Sequence, residues 1–145
     1  MKNEALKKVL TEQRFAVLAT HNEGQPHGSL VAFAASGNFR NLYFATIRET
    51  RKYENMARDP RVALVADDRM NRESDLTRAV AVTAVGEARE ITGKERTEAA
   101  AAFLSRHGGL TDFLENPRCA LMKVSVAKYF VVSEFGNVAE EVPVP

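Results

Sequence analysis

The feature that most restricts the fold is a series of short apolar segments, rich in β-branched and aromatic residues, mostly joined by turn signals rather than by helices. Parallel strands need long crossover connections, whereas tight turns join antiparallel neighbours. The pattern therefore predicts a mainly β, α+β fold, a six-stranded antiparallel barrel with helical additions, whose closure would remove exposed strand edges. The six predicted strands span residues 15–20, 27–36, 42–47, 61–66, 79–91 and 120–135.

Helices are predicted before and between these strands. Apolar residues at helical spacing predict one over Asn3–Gln13, and Thr50 precedes a second that Asp59-Pro60 would end. A third begins at Thr92 or Gly93 and stops at Gly108-Gly109. We expect the first strand to be buried on both faces, residues 67–78 to form a surface loop, and the tail from residue 139 to be loose.

Size and charge exclude several classes of protein. The 145 residues predict a single domain over 1–145, and a net charge of +1 gives no basic excess for binding nucleic acid. The one cysteine, Cys119, excludes a disulfide within the chain. No apolar run approaches the ~20 residues that cross a bilayer, and the charged N-terminus is unlike a signal peptide. We therefore expect a cytoplasmic protein that does not associate with membranes.

One short stretch combines groups that bind a phosphate. The third strand ends at Thr46, and Thr50, Arg51 and Lys52 open the next helix. A helix start offers free N–H groups and a partial positive charge, to which these residues add hydroxyls and two cations. Two cations oppose the helix dipole unless an anion lies between them. The alternative is that Thr50 is simply a helix cap on a basic surface helix.

The same stretch carries a resemblance to a known family. Tyr43-Phe44-Ala45-Thr46, the Arg51-Lys52 pair, Asn55 and the segment Asp59–Leu64 together resemble the pyridoxamine 5′-phosphate oxidase-like family of flavin-binding split barrels. The resemblance covers roughly residues 15–135 and is sharpest over 42–64. It implies a six-stranded antiparallel split β-barrel that forms a homodimer with FMN at the interface.

The resemblance also implies which residues meet the cofactor. The second strand would run beside the flavin ring, the end of the third would approach the phosphate or the ring edge, and the Arg-Lys pair would hold the phosphate. Residues 129–135 of one subunit would border the flavin of the other. The predicted cofactor-binding residues are Ser29, Leu30, Val31, Ala32, Ala45, Thr46, Thr50, Arg51 and Lys52.

Departures from the family pattern bear on the substrate. Ser29 stands where the oxidase has an arginine, and Ala81 corresponds to its flavin-contacting glutamine. The Arg-x-His-x-Arg substrate element has no counterpart after Val131. We therefore expect an FMN-dependent oxidoreductase acting on another small molecule, with a nicotinamide coenzyme as a candidate electron donor, and not a true pyridoxamine-phosphate oxidase.

Several alternatives remain open at this point. The cofactor could be FAD, heme or a deazaflavin coenzyme, and the barrel could bind it without turnover or serve only as a dimeric scaffold. No residue stands out as a general acid or base. His21 and His27 flank the first turn and could face each other, but they have no matched carboxylate, so no metal site is predicted.

Overall fold

The computed structural model describes residues 1–134 and 136–144, which form seven strands and five α-helices. The strands are β1 (Phe15–Asn22), β2 (Gln25–Ala35), β3 (Asn41–Ile47), β4 (Arg61–Asp67), β5 (Ala81–Ile91), β6 (Cys119–Ser133) and β7 (Asn137–Glu141). The helices are α1 (Glu4–Glu12), α2 (Arg51–Arg58), α3 (Asp75–Arg78), α4 (Gly93–Arg106) and α5 (Thr111–Glu115), with a 3-10 turn over Gly108–Leu110.

The first six strands close into an antiparallel barrel. The strand order is β3-β2-β1-β4-β5-β6-β7, and a further pairing between β3 and β6 completes the ring. The first half of β6 pairs with β3, and its second half pairs with β7. The predicted barrel is confirmed, but the tail is not loose, because residues 137–141 add a strand to the sheet. Phe135, the predicted end of the sixth strand, lies outside the described residues.

The barrel is split between β2 and β3. These strands pair only beside their hairpin, from Phe33 opposite Phe44 to Ala35 opposite Leu42. Farther from the hairpin, β2 pairs with β1 and β3 pairs with β6. The two strands therefore diverge, and one edge of each faces the gap between them.

A bulge bends β5 as it wraps around the barrel. Its pairing with β6 shifts register between Val85 and Gly86. A Cβ atom at Gly86 would lie 2.1 Å from the carbonyl oxygen of Ser125. Only glycine tolerates this approach, and a glycine within a strand is typical of a bulge.

The strands alternate between a packed interior and an outward face. Large apolar side chains such as Leu18, Phe33 and Phe44 are fully buried inside the barrel. The apolar side chains of α1 pack against this core. The outward residues of β1 include Phe15 and Val17, which are exposed. The prediction that the first strand is buried on both faces is therefore wrong for the single chain.

Helices α1, α2 and α4 lie close to their predicted positions, whereas the short helix α3 was not predicted. Asn3 caps α1 by accepting a hydrogen bond from the Leu6 N–H group at 3.0 Å. The loop over residues 67–78 contains the short helix α3, which the absence of periodicity did not predict. The Asp75 carboxylate organises this loop by accepting hydrogen bonds from the N–H groups of Met70 and Arg72. Within the described residues, no helix has the length and apolar character needed to cross a membrane.

Candidate functional site

The split between β2 and β3 opens into a pocket of about 340 Å³. The two strands form its floor, and α4 with the segment that follows it forms a wall. The start of α2 lies at one end. A volume in this range suits a small ligand or cofactor. The lining residues are Leu30, Val31, Ala32, Ala45, Thr46, Ile47, Thr50, Lys52, Phe103, Leu110 and Phe113.

Hydroxyl groups organise the turn that leads into α2. The Thr50 hydroxyl donates to the Ile47 carbonyl at 2.7 Å and accepts from the Tyr53 N–H group at 3.4 Å. The buried Thr46 hydroxyl lies 3.2 Å from that of Thr50. Thr50 is therefore the N-cap of α2, as the alternative interpretation required. Both hydroxyls serve the turn itself, which leaves backbone N–H groups and cations as the donors at this end.

The start of α2 carries two cations, Arg51 and Lys52. In the described part of the chain, neither Arg51 nor Lys52 forms an ion pair. The Lys52 side chain lines the pocket, and Arg51 is exposed beside it. By helix geometry, the N–H groups of these two residues have no partner within α2. This end of the pocket is electropositive, whereas the other walls are apolar.

The structure brings together most of the predicted cofactor residues. Seven of the nine line the pocket, and the two that do not are Ser29 and Arg51. Four lining residues were not predicted: Ile47, Phe103, Leu110 and Phe113. Phe103 is fully buried on α4, but nothing in the sequence shows that this helix covers the split.

A network of polar side chains holds the first turn of α2 to β5. Glu90 accepts hydrogen bonds from Arg48 Nη2 at 2.6 Å and from the Tyr53 hydroxyl at 2.8 Å. The Arg48 hydrogen bond, aided by that of Tyr53, lowers the pKa of Glu90, although partial burial opposes this shift. The hydrogen bond to Glu90 and burial both raise the pKa of Tyr53. The carboxylate is therefore ionised and paired at neutral pH.

None of the three histidines is among the residues that line the pocket. His21 and His27 are not cross-strand partners, because His21 is opposite Pro26 and His27 is opposite Thr20. Their side chains therefore project to opposite faces of the sheet. His21 Nε2 instead lies 2.9 Å from the Asp59 carboxylate, and His107 Nε2 donates to the Phe33 carbonyl at 2.7 Å. The described residues contain no cluster of three or more metal-ligating acidic, histidine or cysteine side chains.

Cys119 and Tyr129 are enclosed by the fold. Burial raises the pKa of the Cys119 thiol, which disfavours the reactive thiolate. Tyr129 is fully buried, and its hydroxyl donates to the Phe39 carbonyl at 2.7 Å. Tyr129 therefore faces the core and is not positioned to border a second subunit's flavin.

The outward face of the sheet next to the pocket is unusually apolar. Phe15, Val17, Leu30 and Val65 project from adjacent strands β1, β2 and β4 on the same side, because Val17 pairs with both Leu30 and Val65. Leu30 is 69% exposed and Phe15 is 57% exposed. Leu30 also lines the pocket, so this apolar face, defined by these four residues, is continuous with it.

Comparisons with known structures give the same fold. A heme-binding protein from Mycobacterium smegmatis superposes with a TM-score of 0.84 at 20% identity, covering 99% of this chain and 60% of that protein. This chain thus spans less than two thirds of that relative's length. An FAD-binding protein from Mesorhizobium loti gives a TM-score of 0.73 at 23% identity, covering 87% and 88% of the two chains.

A second heme-related structure is similar as well. HutZ, the heme storage protein from Vibrio cholerae, has a TM-score of 0.73 at 17% identity, and the match covers 83% of this chain and 87% of HutZ.

No curated protein matches the sequence. The pyridoxamine 5′-phosphate oxidase family, however, matches residues 3–133, nearly the whole chain. The chain belongs to the pyridoxamine 5′-phosphate oxidase family.

Proposed function

We propose that this protein binds FMN in the split between β2 and β3 and acts as a small flavin-dependent oxidoreductase. The observation that carries the proposal is the pocket itself, which is apolar along its walls and cationic at one end. FMN has the same polarity, because a flat aromatic ring system is joined through a ribityl chain to a phosphate. The residues present therefore fit the cofactor.

Each part of the pocket has a role in this proposal. Lys52 and the adjacent Arg51 bind the phosphate together with the free N–H groups of the first turn of α2. The strand edges at Leu30–Ala32 and Ala45–Ile47 offer backbone groups to the ring heteroatoms. Phe103 and Phe113 cover the ring and exclude water from it. When bound, the flavin supplies the redox chemistry at its N5 atom.

The apolar face supports a homodimer in this proposal. A contiguous set of exposed large apolar side chains marks a protein interface. Since Leu30 belongs to both the face and the pocket, a second copy seated on the face also closes the open side of the pocket. We therefore propose a two-fold dimer with one flavin at each of two equivalent sites. The buried thiol of Cys119 is compatible with a reducing, cytoplasmic location.

Heme is the second candidate, because two of the similar structures are of heme-associated proteins. The described pocket lining contains no histidine, cysteine, methionine or tyrosine that could ligate iron. This favours flavin over heme for this pocket. The absorbance spectrum of the freshly purified protein, with the mass of the molecule released on denaturation, separates the two candidates.

The phosphate assignment is tested with the double variant Arg51→Ala/Lys52→Ala. We expect FMN affinity to fall about 10–100-fold, because charge-assisted hydrogen bonds are lost, while riboflavin affinity is unchanged. The matched control is Arg72→Ala/Arg78→Ala, which removes the same charge from the exposed β4–β5 loop. Equal losses for FMN and riboflavin would contradict the assignment.

Catalysis is tested separately from binding. Steady-state oxidation of NADH or NADPH with a flavin or quinone acceptor is expected to require the bound cofactor. A protein that binds FMN but shows no turnover with any donor would instead be a flavin-binding module.

A further inference from the structure

We infer that Glu90, Tyr53 and Arg48 form a positioning network that aims the start of α2 at the phosphate of the cofactor. The inference rests on the proposed function, because it concerns the same phosphate. None of the three is among the described residues that line the pocket. They therefore act on the cofactor only through the residues that they hold.

The Glu90 carboxylate joins both sides of the turn that carries Thr50. On the helical side, it accepts a hydrogen bond from the Tyr53 hydroxyl at 2.8 Å. On the strand side, it accepts two from Arg48, at 2.6 Å from Nη2 and 3.3 Å from Nε. A single carboxylate on β5 thus fixes the residues before and after the helix cap.

Arg48 extends the network to a third segment. Its Nη1 atom donates to the Pro117 carbonyl at 2.8 Å, and its backbone N–H donates to the Arg118 carbonyl at 3.0 Å. These carbonyls lie just before β6, the strand that pairs with β3. The turn is therefore held both from β5 and from the segment that leads into β6, so its position does not depend on a ligand.

The network also sets the rotation of α2 about its axis. Successive residues of a helix are rotated by 100°, so the anchor at Tyr53 determines where the neighbouring Lys52 points. Farther along the helix, the buried Asn55 donates to the Thr20 hydroxyl at 3.0 Å. That bond holds the second turn to β1. The first turn, which carries the free N–H groups, depends on Glu90.

Electrostatics alone does not explain why the Glu90 carboxylate lies near the proposed phosphate site. A negative side chain near an anion site weakens anion binding electrostatically. The bidentate hydrogen bonds from Arg48 offset the charge of Glu90, and the geometry that they impose remains. Positioning and electrostatics therefore predict opposite effects when the carboxylate is neutralised.

The test measures FMN and riboflavin dissociation constants for Tyr53→Phe and Glu90→Gln in the full-length protein. For Tyr53→Phe we expect FMN binding to weaken about three- to tenfold, as for the loss of one hydrogen bond to a charged group, with riboflavin unchanged. For Glu90→Gln we expect FMN binding to weaken as well, although the variant gains positive charge. Arg48→Lys keeps the charge but loses the bidentate geometry, and we expect the same FMN-specific loss.

The control is Asn22→Ala, which removes the acceptor of the Arg58 hydrogen bond at the far end of α2 and should leave both affinities unchanged. An unchanged ratio of FMN to riboflavin affinity in a folded Tyr53→Phe protein would overturn the inference while leaving the phosphate site intact. Tighter FMN binding by Glu90→Gln would overturn it in favour of an electrostatic role. A wild-type protein that binds both ligands equally would instead contradict the proposed function.

Discussion

The two faces of β1 and β2 carry similar residues in very different surroundings. On the inner face, Leu18 and Phe33 are completely buried in the barrel core. On the outer face, Phe15 and Leu30 are large and apolar, yet more than half exposed. Both strands are therefore apolar on their inner and outer faces, and the fold of a single chain buries only the inner face.

This difference separates stability from assembly. Burial of the inner face stabilises the barrel, at roughly 25 cal/mol per Å² of apolar surface. The outer face contributes little to the isolated chain, but it adjoins the pocket through Leu30. Among residues 1–134 and 136–144, nothing covers this apolar face, and it adjoins an open pocket, as the proposed site shared between two copies requires. Substitutions on the two faces test this contrast.

The largest effect is expected at the centre of the inner face. Phe33→Ala should lower the free energy of unfolding by about 3–5 kcal/mol, because it leaves a cavity in the core. Leu30→Ala, on the same strand, should have an effect that depends on protein concentration, since only the proposed dimer would bury that side chain. Chemical denaturation at several concentrations measures both. If Leu30→Ala instead lowered the free energy of unfolding by a large amount at every protein concentration, the proposed difference between the two faces would be contradicted.

A charge on the outer face should break the proposed dimer without unfolding the barrel. Phe15→Glu is expected to weaken self-association by about 2 kcal/mol or more, because burying an unpaired carboxylate is costly. Leu76→Glu is the matched control, since Leu76 is similarly exposed but lies in the loop that contains α3. Analytical ultracentrifugation measures the outcome. A Phe15→Glu protein that associates like the wild type would exclude this face as the interface.

A smaller effect is expected where β5 bends. Gly86→Ala should lower the free energy of unfolding by about 1–3 kcal/mol, since the added methyl group meets the Ser125 backbone and forces it to move. Gly37→Ala is the control, because its added methyl group would enter open space. Thermal unfolding compares the two variants. Equal midpoints would show that the bulge adapts at no cost.

The smallest effect concerns pH and the Glu90 network. The pKa of Glu90 lies below its ordinary value of 4.5, chiefly because Arg48 donates hydrogen bonds to its carboxylate. A lowered pKa stabilises the folded protein above that value, and the stabilisation is lost as the pH falls through the folded-state pKa. The wild type should therefore unfold at a higher temperature than Glu90→Gln at neutral pH, and the difference should narrow below pH 4.5. If the difference in unfolding temperature between the two proteins did not change with pH, the pairing of Glu90 with Arg48 would be contradicted.

Local sequence signals account for much of the fold and for part of the site. Strand positions, the helix cap at Thr50 and the bulge at Gly86 follow from residue type and spacing, because each depends on near neighbours in the chain. The helical turn at Asp75–Arg78 and the strand β7 were missed. Both are held by contacts that local periodicity does not encode. Hydrogen bonds to the Asp75 carboxylate hold the helical turn, and pairing with the second half of β6 holds β7.

The sequence by itself determined that short apolar strands are joined mostly by tight turns, as an antiparallel barrel requires, and that two cations begin a helix just after a strand. Only the tertiary structure decided that β2 and β3 diverge there, and that Phe103 and Phe113 from a distant segment cover the gap. It also decided that one face of β1 stays exposed. The reason is that a strand's own residues specify which side chains are apolar, whereas the register and the packing of other elements specify which of them are covered.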